Sequence, residues 1–141
     1  MLVKDVMNKN VVVAKSEVTI REASKVMSKY KIGSLVVLKD NDVIGIITEG
    51  DIMESVANDH NPDSTSVEKI MSQKVLTVDP EDTIENAADI MVQNKIKKLP
   101  VMENGKLRGI ITASDIVVVE PKLIQSIASL ISMKIPGYSG G

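Results

Sequence analysis

Sliding the sequence along itself by 64 positions aligns residues 3–52 with 67–116 without a gap, and eighteen of the fifty pairs are identical. A period of this size constrains the fold more than any other feature of the chain, because it requires one supersecondary unit used twice. The identities include Met7/Met71, Thr19-Ile20/Thr83-Ile84, Ala23/Ala87, Met27/Met91 and Lys31-Ile32/Lys95-Ile96. They are densest in Gly45-Ile46-Ile47-Thr48/Gly109-Ile110-Ile111-Thr112 and in Asp51-Ile52/Asp115-Ile116.

Each copy reads as β-α-β-β-α. A short β-branched run opens it, Val11-Val12-Val13 or Val75-Leu76-Thr77-Val78, and polar or proline-containing turn residues follow. Thr19 with Glu22 three residues on makes a capping box, and Ala23, Val26, Met27 and Tyr30 fall at helical spacing behind it. Thr83 starts the matching helix through Ala87, Ile90 and Met91. Two strands come next, Leu35-Val36-Val37-Leu38 with Val43-Ile44-Gly45-Ile46-Ile47, and Leu99-Pro100-Val101-Met102 with Leu107-Arg108-Gly109-Ile110-Ile111. Their connections, Lys39-Asp40-Asn41-Asp42 and Glu103-Asn104-Gly105-Lys106, are short and turn-rich, as a hairpin requires. A second helix opens at Thr48 or Thr112.

A helix and an apolar hairpin of about 50 residues cannot close a core alone, so each copy is expected to need its twin. The breaker-rich stretch Asn58 to Ser66 reads as a linker, and Glu120-Pro121 restarts a helix with Leu123, Ile127, Leu130 and Ile131 as its apolar stripe. The organisation expected is repeat 1 over 1–57, a linker over 58–66, repeat 2 over 67–119, a helix over 120–135 and a flexible tail over 136–141.

Composition narrows the chemistry. The chain has no Phe or Trp and two Tyr, so its 43% apolar residues, eight Met among them, must build an aliphatic core without an aromatic platform for a base. Seventeen basic and nineteen acidic residues are scattered along the chain for a net charge of −2, which argues against a phosphate-tracking face and so against nucleic acid. No Cys means no disulfide and no thiolate metal site. The start Met1-Leu2-Val3-Lys4-Asp5 lacks an apolar signal core, and no apolar run approaches the ~20 residues a membrane span needs. The expectation is a cytoplasmic protein with no membrane partner.

The duplicated G-x-x-T-x-x-D, Gly45 to Asp51 and Gly109 to Asp115, closely resembles the signature of a tandem CBS-domain pair, or Bateman module. Ile32-Gly33-Ser34-Leu35-Val36-Val37 and Ile96-Lys97-Lys98-Leu99-Pro100-Val101 carry the resemblance further, and it covers nearly everything from Val3 to about Val119. It implies an α/β (α+β) fold in which two repeats pack by pseudo-two-fold symmetry. It also implies a regulatory sensor without catalytic activity, which needs no cofactor and takes AMP, ADP, ATP or S-adenosylmethionine in clefts that draw on both repeats. By the resemblance, Asp51 and Asp115 accept the ribose hydroxyls, a pairing that suits a carboxylate facing a cis-diol. Thr48 and Thr112 lie near sugar or phosphate at the helix start, where free amides and the helix dipole favour an anion. Val13, Ala14, Ile32, Val78 and Pro100 hold the adenine, and Lys97 and Lys98 reach the phosphates. Gly33 and Ser34 stand where the second copy has those lysines, so the clefts are unequal, and Asp51 is expected to be served by the second copy's lysines. A homodimer through the apolar helices is implied, and a separate regulated target protein.

Simpler readings compete. Thr48 with Asp51 and Thr112 with Asp115 fit ordinary capping boxes, Lys97 and Lys98 a charged strand edge, and Gly45 and Gly109 close packing behind a strand. His60, between Asp59 and Asp63, reads as a solvated loop residue before a metal ligand. An enzyme would lack its parts, since there is no Cys, the one His is in a loop and no nucleophile elbow occurs. The remaining alternatives are a structural dimerisation module and a nucleic-acid-associated CBS protein, each with degenerate clefts.

Overall fold

The computed structural model describes residues 1–132; the expected tail and the last turn of the expected 120–135 helix lie outside the described residues. In chain order the elements are α1 (Val3–Val6), β1 (Val13–Lys15), α2 (Ile20–Tyr30), β2 (Ser34–Lys39), β3 (Asp42–Thr48), α3 (Glu49–Ala57), a 3-10 turn (Val67–Lys69), α4 (Ile84–Asn94), β4 (Lys98–Glu103), β5 (Lys106–Thr112), α5 (Ala113–Val119), a second 3-10 turn (Pro121–Leu123) and α6 (Ile124–Ser132).

They fall into two compact units, Val11–Val75 and a second made of Met1–Asn10 with the chain from Leu76 onward. The units thus cut the chain differently from the repeat. Residues 1–10 and 67–75 leave their own copy and extend the other one's sheet through the Asn8–Ile110 and Ser72–Ile46 bridges.

In the 11–75 unit, β1 runs parallel to β2 and β2 antiparallel to β3, with Ala14 opposite Val37 and Ser34 opposite Thr48. Ser72 bridges Ile46 on the free side of β3. Leu35, Val37 and Ile47 point inward from the hairpin onto Ala23 and Met27 of α2, and Ala14, Val67 and Met71 close the cluster. The other unit repeats this plan: Val78 bridges Val101 in parallel, β4 pairs with β5, and Asn8 bridges Ile110. Its core joins Leu99, Val101 and Ile111 to Ala87 and Met91, with Val3 from the chain start and Ile116, Ile127 and Leu130 from the later helices. Each unit has a hydrophobic cluster of its own, but neither repeat completes it alone, in keeping with the expectation that about 50 residues need a twin. The borrowed segments supply the missing apolar groups.

The borrowed segments also explain the glycines of the repeated motif. A Cβ on Gly109 would sit 2.8 Å from Asn8 O and 2.9 Å from Met7 Sδ, and one on Gly45 would sit 2.7 Å from Ser72 O and collide with Met71 Sδ. Backbone oxygens cannot step aside, so no side chain fits at either position.

Three expectations are corrected. The Val11-Val12-Val13 strand lies two residues later, at Val13–Lys15. The matching run Val75 to Val78 forms no strand beyond the single bridge at Val78, because Pro80, which has no amide proton, soon follows. The helix expected from Glu120 begins as the 3-10 turn and becomes α-helical only at Ile124. The 58–66 linker, in turn, is anchored. Ile20 N–H donates to Thr65 O and Arg21 N–H to Pro62 O, both at 3.0 Å, and the Arg21 guanidinium pairs with both oxygens of Asp63.

Candidate functional site

Both copies of Thr-x-x-Asp stand where an antiparallel strand runs straight into a helix. Thr48 ends β3 in extended conformation and caps α3, its Oγ1 accepting from Asp51 N–H at 3.2 Å. The Asp51 carboxylate returns the bond, with Oδ2 accepting from Thr48 N–H at 2.9 Å. Thr112 caps α5 in the same way, accepting from Asp115 N–H at 3.1 Å. The return bond is missing. Among the described residues no donor occupies the half-buried Asp115 carboxylate, so both of its oxygens are open to a hydroxyl pair, whereas Asp51 has one oxygen engaged.

The residues before the hairpin join these helix starts. Lys31 and Lys95 end α2 and α4 in the left-handed conformation, turning the chain toward Ile32 and Ile96. Glu49 N–H then donates to Gly33 O at 3.0 Å, and Ala113 N–H to Lys97 O at 2.8 Å. Ser34 pairs in register with Thr48, and Lys98 with Thr112. So Ile32, Gly33, Ser34, Thr48 and Asp51 form one neighbourhood, and Lys97, Lys98, Thr112 and Asp115 another. Lys97 is exposed and Lys98 half-buried.

The adenine candidates divide by burial. Val13 and Ile32 keep accessible surface, while Ala14 and Val78 belong to the cores of their units and Pro100 is buried in β4, so a ligand meets those three chiefly through their backbone. A groove of about 510 Å³ opens in the 11–75 unit, lined by Ser24, Met27, Ser28, Lys31, Ile32, Glu49, Ile52 and Met53. Ile32 is the one expected ligand residue it contains. The sequence reading passed over Glu49. Its signal is present in the alignment at a shift of 64 positions, where Gly33 faces Lys97 and Glu49 faces Ala113.

Residues 3–58 and 67–121 each match the profile of the CBS domain. The chain belongs to the CBS-domain family. A Methanopyrus kandleri protein described as uncharacterized is 38% identical over 128 residues, covering 89% of this chain and 65% of that protein. The CBS pair also matches part of the homoserine O-acetyltransferase of Methanosphaerula palustris, 39% identical over 106 residues, which is 74% of this chain and only 21% of the enzyme. Among solved structures, the CBS domain pair of protein MJ0100, in complex with 5′-methylthioadenosine and S-adenosyl-L-methionine, superposes with a TM-score of 0.78 at 29% identity, covering 86% of this chain and 97% of that one. Among the described residues of this CBS pair, no helix is long and apolar enough to cross a membrane, and no three His, Cys, Asp or Glu gather to hold a metal.

Proposed function

We propose that this CBS pair is a non-catalytic regulatory module of the cytoplasm that binds an adenosine-type ligand. The observation that carries the reading is the open Asp115 carboxylate at the start of α5, beside a strand whose partner position holds Lys98. A half-buried carboxylate with both oxygens open accepts two hydroxyl protons of a ribose, and such charge-assisted bonds are stronger than neutral ones. The relative solved with two adenosine compounds supports the same ligand class. Asp51, Thr48 and Thr112 complete the ribose contacts, and Val13, Ala14, Ile32, Val78 and Pro100 border the base. Gly33 and Ser34 line the first copy, and Lys97 and Lys98 meet a phosphate where the ligand is AMP, ADP or ATP. The regulated activity belongs to a separate protein or to a longer chain.

A second reading has its own observation. Met53 at 71%, Val56 at 64% and Val118 at 78% exposure are apolar residues facing water on α3 and α5, which favours a homodimer through those helices. The two readings are compatible.

The test is a panel of adenosine, 5′-methylthioadenosine, S-adenosylmethionine, AMP, ADP and ATP, with guanosine compounds as controls, read by melting temperature and then calorimetry. A ligand of the folded state raises the melting temperature with its concentration. If no adenosine compound shifts it, the adenosine reading fails and the dimerisation reading stands.

A further inference from the structure

We infer that Glu49 makes the first copy discriminate against anionic adenosine ligands, so that, contrary to the expectation that the second copy's lysines serve Asp51, it takes neutral or cationic ones while the second copy takes phosphorylated ones. This rests on the adenosine reading above and goes on to name the ligand charge each copy selects.

The two neighbourhoods have the same backbone and different charge. In both, the residue after the capping threonine donates its N–H to the carbonyl of the residue that follows the conserved isoleucine, Glu49 to Gly33 and Ala113 to Lys97. In the first copy that pair of positions holds one carboxylate and no cation. In the second it holds a lysine, with Lys98 next to it where the first copy has Ser34. Lys31 and Lys95 occupy matching left-handed positions and cancel in the comparison.

Glu49 also occupies the space a side chain on residue 33 would need. A Cβ there would lie 2.7 Å from Glu49 Oε1. Gly33 has no positive φ, and the close atom is the far end of the exposed, flexible Glu49 side chain, so the contact places the carboxylate beside residue 33 without requiring glycine there. Glu49 therefore sets the charge beside residue 33 in the first copy, where the second copy has Lys97 and no acid. Ala113 is 3% exposed, so the second copy has no room for the equivalent acid. Glu49 is exposed and lines the groove that also contains Ile32, and among the described residues no ion pair neutralises it.

The test uses the full chain and three probes of different charge: AMP, 5′-methylthioadenosine and S-adenosylmethionine. Affinities are measured by calorimetry for the wild type, Glu49→Gln and Glu49→Ala, after circular dichroism and melting show that each variant folds. Both variants should bind AMP about threefold more tightly at low salt, the size of a like-charge contact near a surface. S-adenosylmethionine should weaken by a similar factor, 5′-methylthioadenosine should stay unchanged, and the differences should shrink in high salt. If both variants move all three probes equally, or move none, Glu49 does not sense charge and the inference is overturned while the adenosine reading survives. If no probe binds the wild type, both are overturned together.

Discussion

The two CBS copies are alike where backbone meets backbone and differ where side chains meet solvent. Gly45 and Gly109 are both pressed by a carbonyl oxygen of the segment borrowed from the other copy, Lys31 and Lys95 both take the left-handed turn, and threonine caps all four main helices. Around those fixed points the copies diverge. One closes a capping box at Asp51 and the other leaves Asp115 open, and one places a glutamate where the other places alanine. What cannot move without breaking the sheet has been kept through the duplication; what touches water or a ligand has drifted into two different sites.

The largest effect should come from breaking what the copies share. Gly45→Ala and Gly109→Ala each push a Cβ against a backbone oxygen at under 3 Å, and overpacking of this kind costs about 2 kcal/mol or more. Urea unfolding of the two variants should show similar losses. If one copy tolerates alanine, its borrowed segment is not seated as described and the likeness of the two sheets fails there.

Those glycines also mark how far the sequence could be read. The repeat, the hairpins, the helix caps at Thr19, Thr48, Thr83 and Thr112 and the family were all legible, because each rests on local spacing that the 64-residue shift confirms twice. The exchange of residues 1–10 and 67–75 between copies was not legible. It depends on which sheet edge a short segment of ordinary polarity finds, and nothing in Met7-Asn8 or Met71-Ser72 states that. The site was half legible. Thr and Asp in register pointed to a place and to two capping boxes, but only the geometry shows that the box closes at Asp51 and not at Asp115 and that Glu49 lies over Gly33.

The carboxylates offer the next contrast. Losing hydrogen bonds to a charged group is worth about 1.5–3 kcal/mol, so Asp51→Ala and Asp115→Ala should each weaken adenosine binding at its own copy roughly tenfold or more. Their stabilities should separate. Asp51→Ala also removes half of a capping box, at a cost of about 0.5–1 kcal/mol, while Asp115→Ala removes no bond seen in the folded chain. Equal melting temperatures for the two variants would mean that the box at α3 contributes nothing and that this difference between the copies has no energetic weight.

A smaller gap separates the hairpin turns. Both are two-residue turns with positive φ at each central residue, Asp40 at 51° and Asn41 at 69° in the first copy, Asn104 at 53° and Gly105 at 76° in the second. Glycine adopts that conformation without a Cβ clash, whereas Asn41 tolerates it at some cost. Asn41→Gly should therefore stabilise the chain by about 0.5 kcal/mol, and Gly105→Ala should destabilise it by a comparable amount. Thermal melts of both variants check the pair, and opposite signs are required.

The smallest difference concerns acid. At the start of α2 the Glu22 carboxylate accepts from Thr19 N–H at 3.0 Å and lies 3.0 Å from the Thr19 hydroxyl oxygen, and these bonds, the amide first, hold its pKa below the usual glutamate value. The matching residue at α4 is Asn86, which caps through its own N–H to Thr83 Oγ1 and does not titrate. A carboxyl whose folded pKa is depressed contributes stability above its unfolded pKa and loses it as pH falls through the folded value. Asp63 is depressed too, by the Arg21 guanidinium, but it is common to the wild type and a Glu22 variant and drops out of their difference. Replacing Glu22 by the residue of the other copy, Glu22→Asn, should therefore lower the melting temperature slightly near neutral pH, and the gap between wild type and variant should close between about pH 5 and pH 3. Glu22 is fully exposed, so the gap is small at any pH and is best read from paired melts in one buffer series. A gap that keeps its size down to pH 3 would mean that Glu22 acts through packing or helix propensity and not through its charge. In that case the two first-helix caps are equivalent, and the acid sensitivity assigned to the first copy alone is withdrawn.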